Sequence, residues 1–436
     1  MRIKFLMLSL LILGTASMKA QQIKQLTLDE AVNLALQNSD ASKIADTKVA
    51  SAEGQLNVTK NLQYPEVDLS GQYRYLTGAD VKLNTQTSDS GSGEQTAQPK
   101  VNSLMLGQAN VSMPIFSGFK LKNTIKASEN AYEAAMFNAK NEKEQIALQT
   151  IQNYLNLYKA NKTIELVEEN VKSAQQRVTD FSNMEENGLL ARNDLLKAKL
   201  QQSNIEISLE EAKKNERILN YTLAVMLKLP ENTLIETEDL NFGNTTGIIS
   251  SEVSRNDLQA LQFQEEAAND QIKVAKSAYY PSLALVGGYI ALDLNNALTV
   301  TNAMNIGVGV SYNISNIFKT KSDVKLAKSK AQEIEYTVSM VSDKIKIQVE
   351  NAKQEYELSQ RKFEVYTQSE EQAIENYRIV KDKYDNGLSD TNDLLEADVQ
   401  QLQAKIDLAY AQANITQKYY ELLTSKGVLT NQFNQQ

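Results

Sequence analysis

Acidic side chains are the groups in this sequence whose spacing could support chemistry. Asp393 and Glu396 are three positions apart, so they would share one face of a helix. Asp194 lies 199 residues before Asp393, and both stand in the same Asn-Asp-Leu-Leu sequence. A pair of carboxylates can in principle carry out acid–base catalysis. The plain structural alternative is a solvated face, or acidic groups that interact with the dipole at a helix N-terminus.

The rest of the composition argues against an enzyme. The 436 residues include no His and no Cys, which removes the usual general base, the commonest metal ligand and all thiol chemistry. The sequence also has no Gly-rich phosphate loop. We therefore expect no catalytic residue, no metal site and no cofactor. The net charge of −9 and the lack of a basic run argue against nucleic acid as a partner.

Residues 1–20 have the character of a signal peptide. Arg2 and Lys4 precede an apolar core from Phe5 to Leu13, and residues 17–20 offer a cleavage region. We therefore expect export of the mature chain, without a lipid anchor because no cysteine is available. No later stretch approaches 18 consecutive apolar residues, so any membrane-spanning segment is expected to be a β-strand.

Two stretches of 69 residues, 119–187 and 318–386, lack both glycine and proline, the residues that most oppose a helix. Each ends at a Gly-Leu pair, and a shift of 199 residues superimposes the two, which indicates an internal duplication. At about 1.5 Å per residue each helix would extend roughly 100 Å. Both carry the three-and-four spacing of a coiled-coil seam, at Val167, Val171, Ala174, Val178 and Phe181 and at Phe363, Tyr366, Ala373, Tyr377, Val380 and Tyr384.

Each long helix is preceded by a pair of amphipathic segments. Residues 67–75 alternate apolar and polar side chains, and residues 304–314 do so most clearly, which is typical of strands with one apolar face. Tyr64-Pro65 and Tyr280-Pro281 introduce the two pairs, and Pro114 is expected to end the second strand. The polar stretch 77–100 is expected to form an exposed loop.

The predicted organisation is therefore a signal peptide (1–20) followed by two structural repeats. The first repeat, 21–253, comprises a helix (27–63), a β-hairpin (66–114), a helical hairpin (119–229) and a linker (230–253). The second repeat, 254–436, comprises a helix (254–280), a β-hairpin (282–314), a helical hairpin (318–426) and a C-terminal tail (427–436). The predicted fold class is mainly α with membrane β-strands, four per chain.

Four amphipathic strands of about nine to eleven residues suit a tilted crossing of the hydrocarbon layer. A soluble sandwich with one solvated face is the alternative, but the length of the flanking helices and the expected export favour lipid. An open sheet in lipid leaves backbone groups unpaired, so it must close with strands from other chains. Two chains would supply eight strands and three would supply twelve, and a water-filled lumen favours twelve.

Several sequence motifs of this chain resemble those of the TolC family of outer-membrane efflux channels. The resemblance rests on the Thr-Leu-Asp-Glu-Ala at 27–31, the two Tyr-Pro pairs, both Asn-Gly-Leu turns with the Asp-Leu-Leu after each, and Leu229-Pro230. It implies a homotrimer whose twelve-stranded β-barrel continues into a periplasmic α-helical barrel. It also implies passive export through a tripartite efflux or type I secretion system, with a periplasmic adaptor, an inner-membrane RND or ABC pump and outer-membrane lipid as partners.

The resemblance also assigns roles to the turns between the long helices. It implies that the adaptor docks at these turns, on Gly188, Leu189, Gly387, Leu388 and Ser389. Ser389 matches the commoner family pattern at this position. Some members of the family have an arginine there instead. Leu190, at the matching place in the first turn, departs from the pattern.

A periplasmic gate is the second role that the resemblance implies. It places Asp393 and Glu396 at acidic constrictions, where threefold symmetry would gather three copies of each into a narrow point that binds cations. It places Asp194 and Tyr384 where links between neighbouring helices keep the end closed. Glu396 departs from the family pattern, which has Asp in that ring.

Two other classes of exported protein remain open at this stage. One is an oligomeric coiled-coil structural or adhesive protein with a small β head. The other is the pump adaptor, which would have one helical hairpin between β-rich halves rather than two hairpins, each after a strand pair. Fractionation with the outer membrane and heat-modifiable migration of an oligomer would distinguish a channel from a coiled coil.

Overall fold

A computed structural model of the chain describes residues 22–80, 100–239, 253–295 and 297–433. Within these ranges the chain is mainly helical, with two strand pairs that precede two long helices. The expected signal peptide, 1–20, lies outside the described residues. In chain order the elements are β1 (Gln22–Leu26), α1 (Leu28–Asn38), α2 (Asp40–Asn61), β2 (Glu66–Asp80), β3 (Lys100–Ser117), α3 (Lys120–Glu186), α4 (Arg192–Met226), β4 (Thr233–Thr237), α5 (Asn256–Lys276), β5 (Ser282–Leu294), β6 (Leu298–Ser311), α6 (Asn316–Asp385) and α7 (Thr391–Lys426).

The chain divides into two compact units that differ from the two sequence repeats. The first unit comprises residues 1–48, 137–258 and 340–436, and the second comprises 49–136 and 259–339. Each unit therefore draws residues from both repeats, 21–253 and 254–436. The reason is that α3 and α6 are long enough to contribute to both units.

The second unit contains an antiparallel sheet in the order β2-β3-β5-β6. Its strands alternate as the sequence predicts: Asp68, Asn110, Gly288 and Asn305 form one row across all four strands on the polar face. The other face, called here the apolar sheet face, exposes a continuous set of large side chains, namely Val67, Leu69, Tyr73, Tyr75, Met105, Val111, Met113, Leu285, Met304, Ile306, Val308 and Val310. Within the described residues, β2 and β6 have a partner strand on one edge only.

The strand ends differ from the sequence expectation at three places. Pro114 does not end β3, which continues to Ser117 through a bulge between Pro114 and Phe116. A bulge tolerates proline because the ladder is already interrupted there. Residues 77–80 and Lys100, expected in a loop, belong to β2 and β3, while 81–99 lie outside the described residues. β6 ends at Ser311 rather than at residue 314.

The helix expected over 27–63 is two helices, α1 and α2, separated at Ser39. Ser39 has an extended backbone and its hydroxyl accepts a hydrogen bond from the Ser42 N–H, as a helix-capping serine does. Thr27 and Glu30 form the capping box that the sequence predicts at the start of α1. The interruption follows from Asn38-Ser39-Asp40, three residues that favour caps over helix interiors.

The first unit has its core around a short parallel sheet that the sequence did not reveal. β1 pairs with β4, which lies inside the segment expected to be a linker, 230–253. Tyr154 of α3 bridges the C-terminal ends of the two strands, because its hydroxyl donates to the Leu26 carbonyl at 2.7 Å and accepts from the Glu238 N–H at 3.0 Å. Burial raises the pKa of Tyr154 to about 12. The hydroxyl is therefore a fixed structural group rather than a titrating one.

Helices of the first unit also meet end to end. Lys228, just after α4, forms an ion pair with Asp40 at the start of α2. Gly427 ends α7. The Ser254 N–H donates a hydrogen bond to the Lys426 carbonyl at 2.9 Å, so the residues just before α5 bond to the last turn of α7. None of the helices in the described ranges is both long and apolar enough to cross a membrane.

Candidate functional site: the tips of the helical hairpins

The two hairpins of the first unit end in turns of the same geometry. Gly188 and Gly387 have φ values of 73° and 72°, the left-handed conformation that glycine adopts without strain. In each turn the glycine N–H bonds three residues back and the following leucine N–H bonds five residues back, which is the Schellman motif. The leucines point outward, since Leu189 is 73% exposed and Leu388 is 78% exposed. Each tip therefore presents one large apolar side chain.

A small apolar core, called here the tip cluster, joins the two hairpins behind these turns. Phe181 from α3, Leu195 and Ala198 from α4 and Leu394 from α7 are its buried members. The residues packed around them are Val178, Leu190, Tyr377, Val380 and Tyr384. The seams predicted from the sequence thus meet at the tips. Leu190, which departs from the family pattern, contributes to this core.

Tyr384 lies inside the tip cluster. Its ring stacks on Phe181 with a centroid separation of 5.6 Å, and its hydroxyl is shielded from solvent. Burial raises the pKa of Tyr384, and the negative charge of Asp194 raises it further, whereas the Thr391 side chain acts to lower it. The Thr391 side chain does not form a hydrogen bond of standard length and angle with the Tyr384 hydroxyl. Tyr384 belongs to the second hairpin, whereas Phe181 and Leu195 of the tip cluster belong to the first. Asp194 itself accepts a hydrogen bond from Lys197 at 3.3 Å.

Asp393 and Glu396 lie on an exposed face of α7, as their spacing predicts. Asp393 accepts a hydrogen bond from the Ser389 hydroxyl at 2.8 Å, and Glu396 accepts one from the Gln400 amide at 3.1 Å. Both carboxylates are bonded to neutral groups of their own hairpin. Both side chains are exposed to solvent.

The two tips differ in how the returning helix begins. Asp390 caps α7 by accepting hydrogen bonds from the backbone of Asn392 and Asp393, at 2.8 and 3.0 Å. Ala191 occupies the matching place before α4 and makes no side-chain cap. Because a cap fixes the first turn of a helix, the second tip is the more rigidly defined of the two.

A buried ion pair near the tips was missed in the sequence. Arg177 of α3 and Asp398 of α7 are 8% and 2% exposed, and Arg177 Nη1 lies 3.0 Å from Asp398 Oδ2. Asn170 and Tyr377 complete the network, with contacts of 3.4 Å to Asp398 and Arg177 respectively. The pKa of Arg177 is raised, because the hydrogen bond and charge of Asp398 outweigh the opposing effect of burial.

The position of this pair could have been read from helix periodicity. Arg177 follows the seam residue Ala174 by three positions, and Asp398 follows the buried Leu394 by four. A charged residue at a seam spacing is buried with its helix face, so it requires a partner of opposite charge. One such residue in each hairpin therefore indicated an ion pair between them.

An amphipathic sheet in one unit and, in the other, two helical hairpins whose tips share one core are the elements of an outer-membrane exit channel. The model of the family named Outer membrane efflux protein matches residues 31–227 and 248–428. The chain belongs to this family.

Relatives and solved structures agree with this assignment. The outer membrane efflux protein BepC of Brucella suis biovar 1 (strain 1330) is 22% identical over 321 residues, covering 72% of this chain and 70% of BepC. Nodulation protein T of Rhizobium leguminosarum bv. trifolii is 25% identical over 382 residues, covering 83% of this chain and 76% of that protein. The Campylobacter jejuni CmeC outer membrane channel superposes with a TM-score of 0.79 at 20% identity, covering 92% of this chain and 86% of CmeC. The Vibrio cholerae outer membrane protein VceC superposes with a TM-score of 0.76 at 17% identity, covering 92% and 96%.

The protein is therefore an outer-membrane channel of the efflux type, which extends into the periplasm of a Gram-negative bacterium. Its family and fold are those of channels rather than enzymes. Channels of this family are homotrimers that work with periplasmic adaptors and inner-membrane pumps.

Proposed function

We propose that three copies of this chain form one exit duct, in which their sheets close into a twelve-stranded barrel. The open edges of β2 and β6 carry this proposal, since within the described residues each lacks a partner on its outer side. Unpaired backbone groups are strongly unfavourable in hydrocarbon, so these edges require strands from other copies. The trimer would conduct substrates passively from an RND or ABC pump to the exterior.

We infer that the tips of the helical hairpins are the periplasmic gate of this duct. The exposure of Asp393 and Glu396 beside the tip cluster supports this role, because a threefold axis would convert each into a ring of three carboxylates. Rings of carboxylates select and retain cations. Tyr384, in the tip cluster, and Asp194, in the first turn of α4, belong to the two different hairpins of one chain, so a change in packing between the hairpins would alter the opening.

Removing the two exposed carboxylates is expected to change conduction. For Asp393→Ala with Glu396→Ala, we expect a higher single-channel conductance and weaker block by divalent cations, by on the order of tenfold, which corresponds to about 1.4 kcal/mol of lost cation binding. Planar-bilayer recordings of the purified trimer with and without Mg²⁺ measure both. The control is Glu210→Ala with Glu211→Ala, an exposed pair on α4 away from the tips. Unchanged block in the first variant, or an equal change in the control, removes the gate assignment and leaves the fold intact.

The tips are also proposed as the docking edge for the periplasmic adaptor. Gly188 and Gly387 shape the two turns, Leu189 and Leu388 project from them, and Ser389 is fixed by its bond to Asp393. Burying a leucine side chain contributes about 1.5–3 kcal/mol, so two such side chains can anchor a partner. The more rigid second tip is the stronger candidate for this contact.

Polar replacement of the tip leucines tests the docking edge. Leu189→Ser with Leu388→Ser is expected to weaken adaptor binding by tenfold or more while trimer formation and bilayer conductance persist. Photo-crosslinking from position 389 to the adaptor, quantified in intact cells, measures the contact. Ile347→Ser with Val365→Ser, which alters exposed apolar positions on α6 away from the tips, is the control. Undiminished crosslinking in the tip variant would show that docking lies elsewhere.

A further inference from the structure

The beginnings of the two long helices share a pattern of lysines. Phe119 is followed by Lys120, Lys122 and Lys126, and a shift of 199 residues gives Phe318, Lys319, Lys321 and Lys325. The residues between them differ in the two copies, so the duplication has retained a phenylalanine and three lysines at the same spacing. All six lysines are exposed, and within the described chain none is joined to a carboxylate by an ion pair.

Three of these lysines, Lys120, Lys122 and Lys319, lie in the first turn of a helix, where positive charge is disfavoured. The N-terminus of a helix has the positive end of its dipole, which acidic side chains usually offset. The first turns of α3 and α6 contain no acidic residue, although the whole chain has a net charge of −9. The same concentration of positive charge recurs in both repeats, with Asp323 as the one acidic residue inside the second set, and an anion from outside the chain would offset it.

An apolar groove accompanies the lysines at the first junction. Ile115, Phe116, Phe119, Leu121 and Ile125 line it, together with the charged residues Lys122, Lys126 and Glu129. The Glu129 carboxylate forms an ion pair with Lys60 at 3.2 Å. The groove has a volume of about 530 Å³. Phe116 pairs with Leu283 and so belongs to the apolar sheet face, which makes the groove continuous with that face.

Aromatic rings lie near this groove and at the start of the neighbouring strand and helix in the second unit. Phe119 contacts Phe116 edge to face at 5.3 Å and Tyr280 at 6.3 Å. Tyr64 and Phe318 are 66% and 81% exposed where their own strand and helix begin. Exposed aromatic rings at the rim of an apolar surface are typical of the boundary between hydrocarbon and headgroups. The lysines lie beyond that rim, on the helix side.

We propose that the two strand-to-helix junctions bind the headgroups of anionic glycerophospholipids in the periplasmic leaflet of the outer membrane. The phosphate would lie against the ammonium groups of Lys122 and Lys126, or of Lys321 and Lys325. At the first junction an acyl chain would follow the apolar groove onto the sheet. Basic residues next to a membrane surface attract anionic lipid in this way. The aliphatic stems of the lysines remain at the apolar rim while their charges reach the headgroups. A free phosphate ion would satisfy the lysines but leave the groove exposed to water, so the lipid is the occupant that fits both.

Lipid selectivity of the reconstituted trimer tests this inference. Bilayers of phosphatidylcholine would contain spin-labelled phosphatidylglycerol or spin-labelled phosphatidylcholine, and the motionally restricted fraction would give their relative affinity. We expect the parent protein to prefer phosphatidylglycerol. In the variant Lys122→Gln, Lys126→Gln, Lys321→Gln, Lys325→Gln this preference should fall by on the order of fivefold or more. The four Lys→Arg replacements, which keep the charge, should retain it.

The matched control removes four exposed helical lysines of the first unit that form no ion pair within the described ranges, Lys172→Gln, Lys199→Gln, Lys344→Gln and Lys362→Gln. Its preference for phosphatidylglycerol should equal that of the parent. An unchanged preference in the junction variant, an equal fall in the control, or loss in the Lys→Arg variant would overturn the proposal. Abolition of the preference by inorganic phosphate, at an ionic strength matched with chloride, would identify a free-phosphate site and overturn it as well.

Discussion

Asp398→Ala is expected to lower the free energy of unfolding by about 3–5 kcal/mol, the cost of leaving a buried charge without its partner. The variant would leave the Arg177 guanidinium, which is 8% exposed, without Asp398, its ion-pair partner. Water cannot replace that partner without opening the contact between α3 and α7. Urea unfolding of the detergent-solubilised trimer, followed by circular dichroism at fixed protein concentration, measures the change.

A double variant separates the cost of leaving one buried charge unpaired from the contribution of the ion pair itself. Arg177→Met with Asp398→Leu removes both charges, so we expect it to recover most of the loss, since apolar replacements of buried pairs are often neutral or stabilising. Asp382→Ala is the exposed control: it breaks the ion pair with Arg378, whose side chain is 60% exposed, and should change stability little. If Asp398→Ala were as stable as this control, the pair would not connect the hairpins as described.

Gly427→Ala is the second change with a large expected effect, about 2–5 kcal/mol. A Cβ at this position would clash with the Ser254 carbonyl oxygen and would lie 3.1 Å from Arg255 Cα, and both contacts are with backbone. The residue also has φ of 74°, which costs an L-residue about 1–2 kcal/mol before any clash. Overpacking adds about 1–3 kcal/mol. The same urea unfolding measures the loss.

Gly387→Ala is the matched control for this clash. Gly387 has φ of 72°, but no heavy atom within the described chain lies within 4 Å of its added Cβ. Only the conformational term of about 1–2 kcal/mol applies there. The difference between the two variants isolates the close approach of α7 to Ser254. Equal losses in both would show that the two helix ends are not in contact.

The parts of the structure that sequence predicted are those with a strong local signal. The Gly-Leu turns at 188 and 387 follow 69 residues without glycine or proline, so both ends of each long helix were evident. Alternation over a strand fixes which side chains share a face, which is why Asp68 and Asn305 could be assigned to the polar side. Tyr384 followed from seam spacing, and the structure places it in the tip cluster.

Most of the parts that were missed depend on partners far apart in the sequence. β1 and β4 are five residues each, and their parallel pairing joins segments more than 200 residues apart, which no local pattern reveals. The Arg177–Asp398 pair had a periodic signal within each helix, but the two partners are 221 residues apart, in different hairpins. The interruption at Ser39 was missed although its cause is local, a capping bond to Ser42 that competes with the helical backbone.

The copy number of the purified mature protein tests the central claim most directly. Each chain supplies an open four-stranded sheet with a large exposed apolar face, so the claim requires three chains and a detergent or lipid shell. Native mass spectrometry from detergent is predicted to give three copies of the mature chain. A monomer that stays in solution without detergent would contradict the claim.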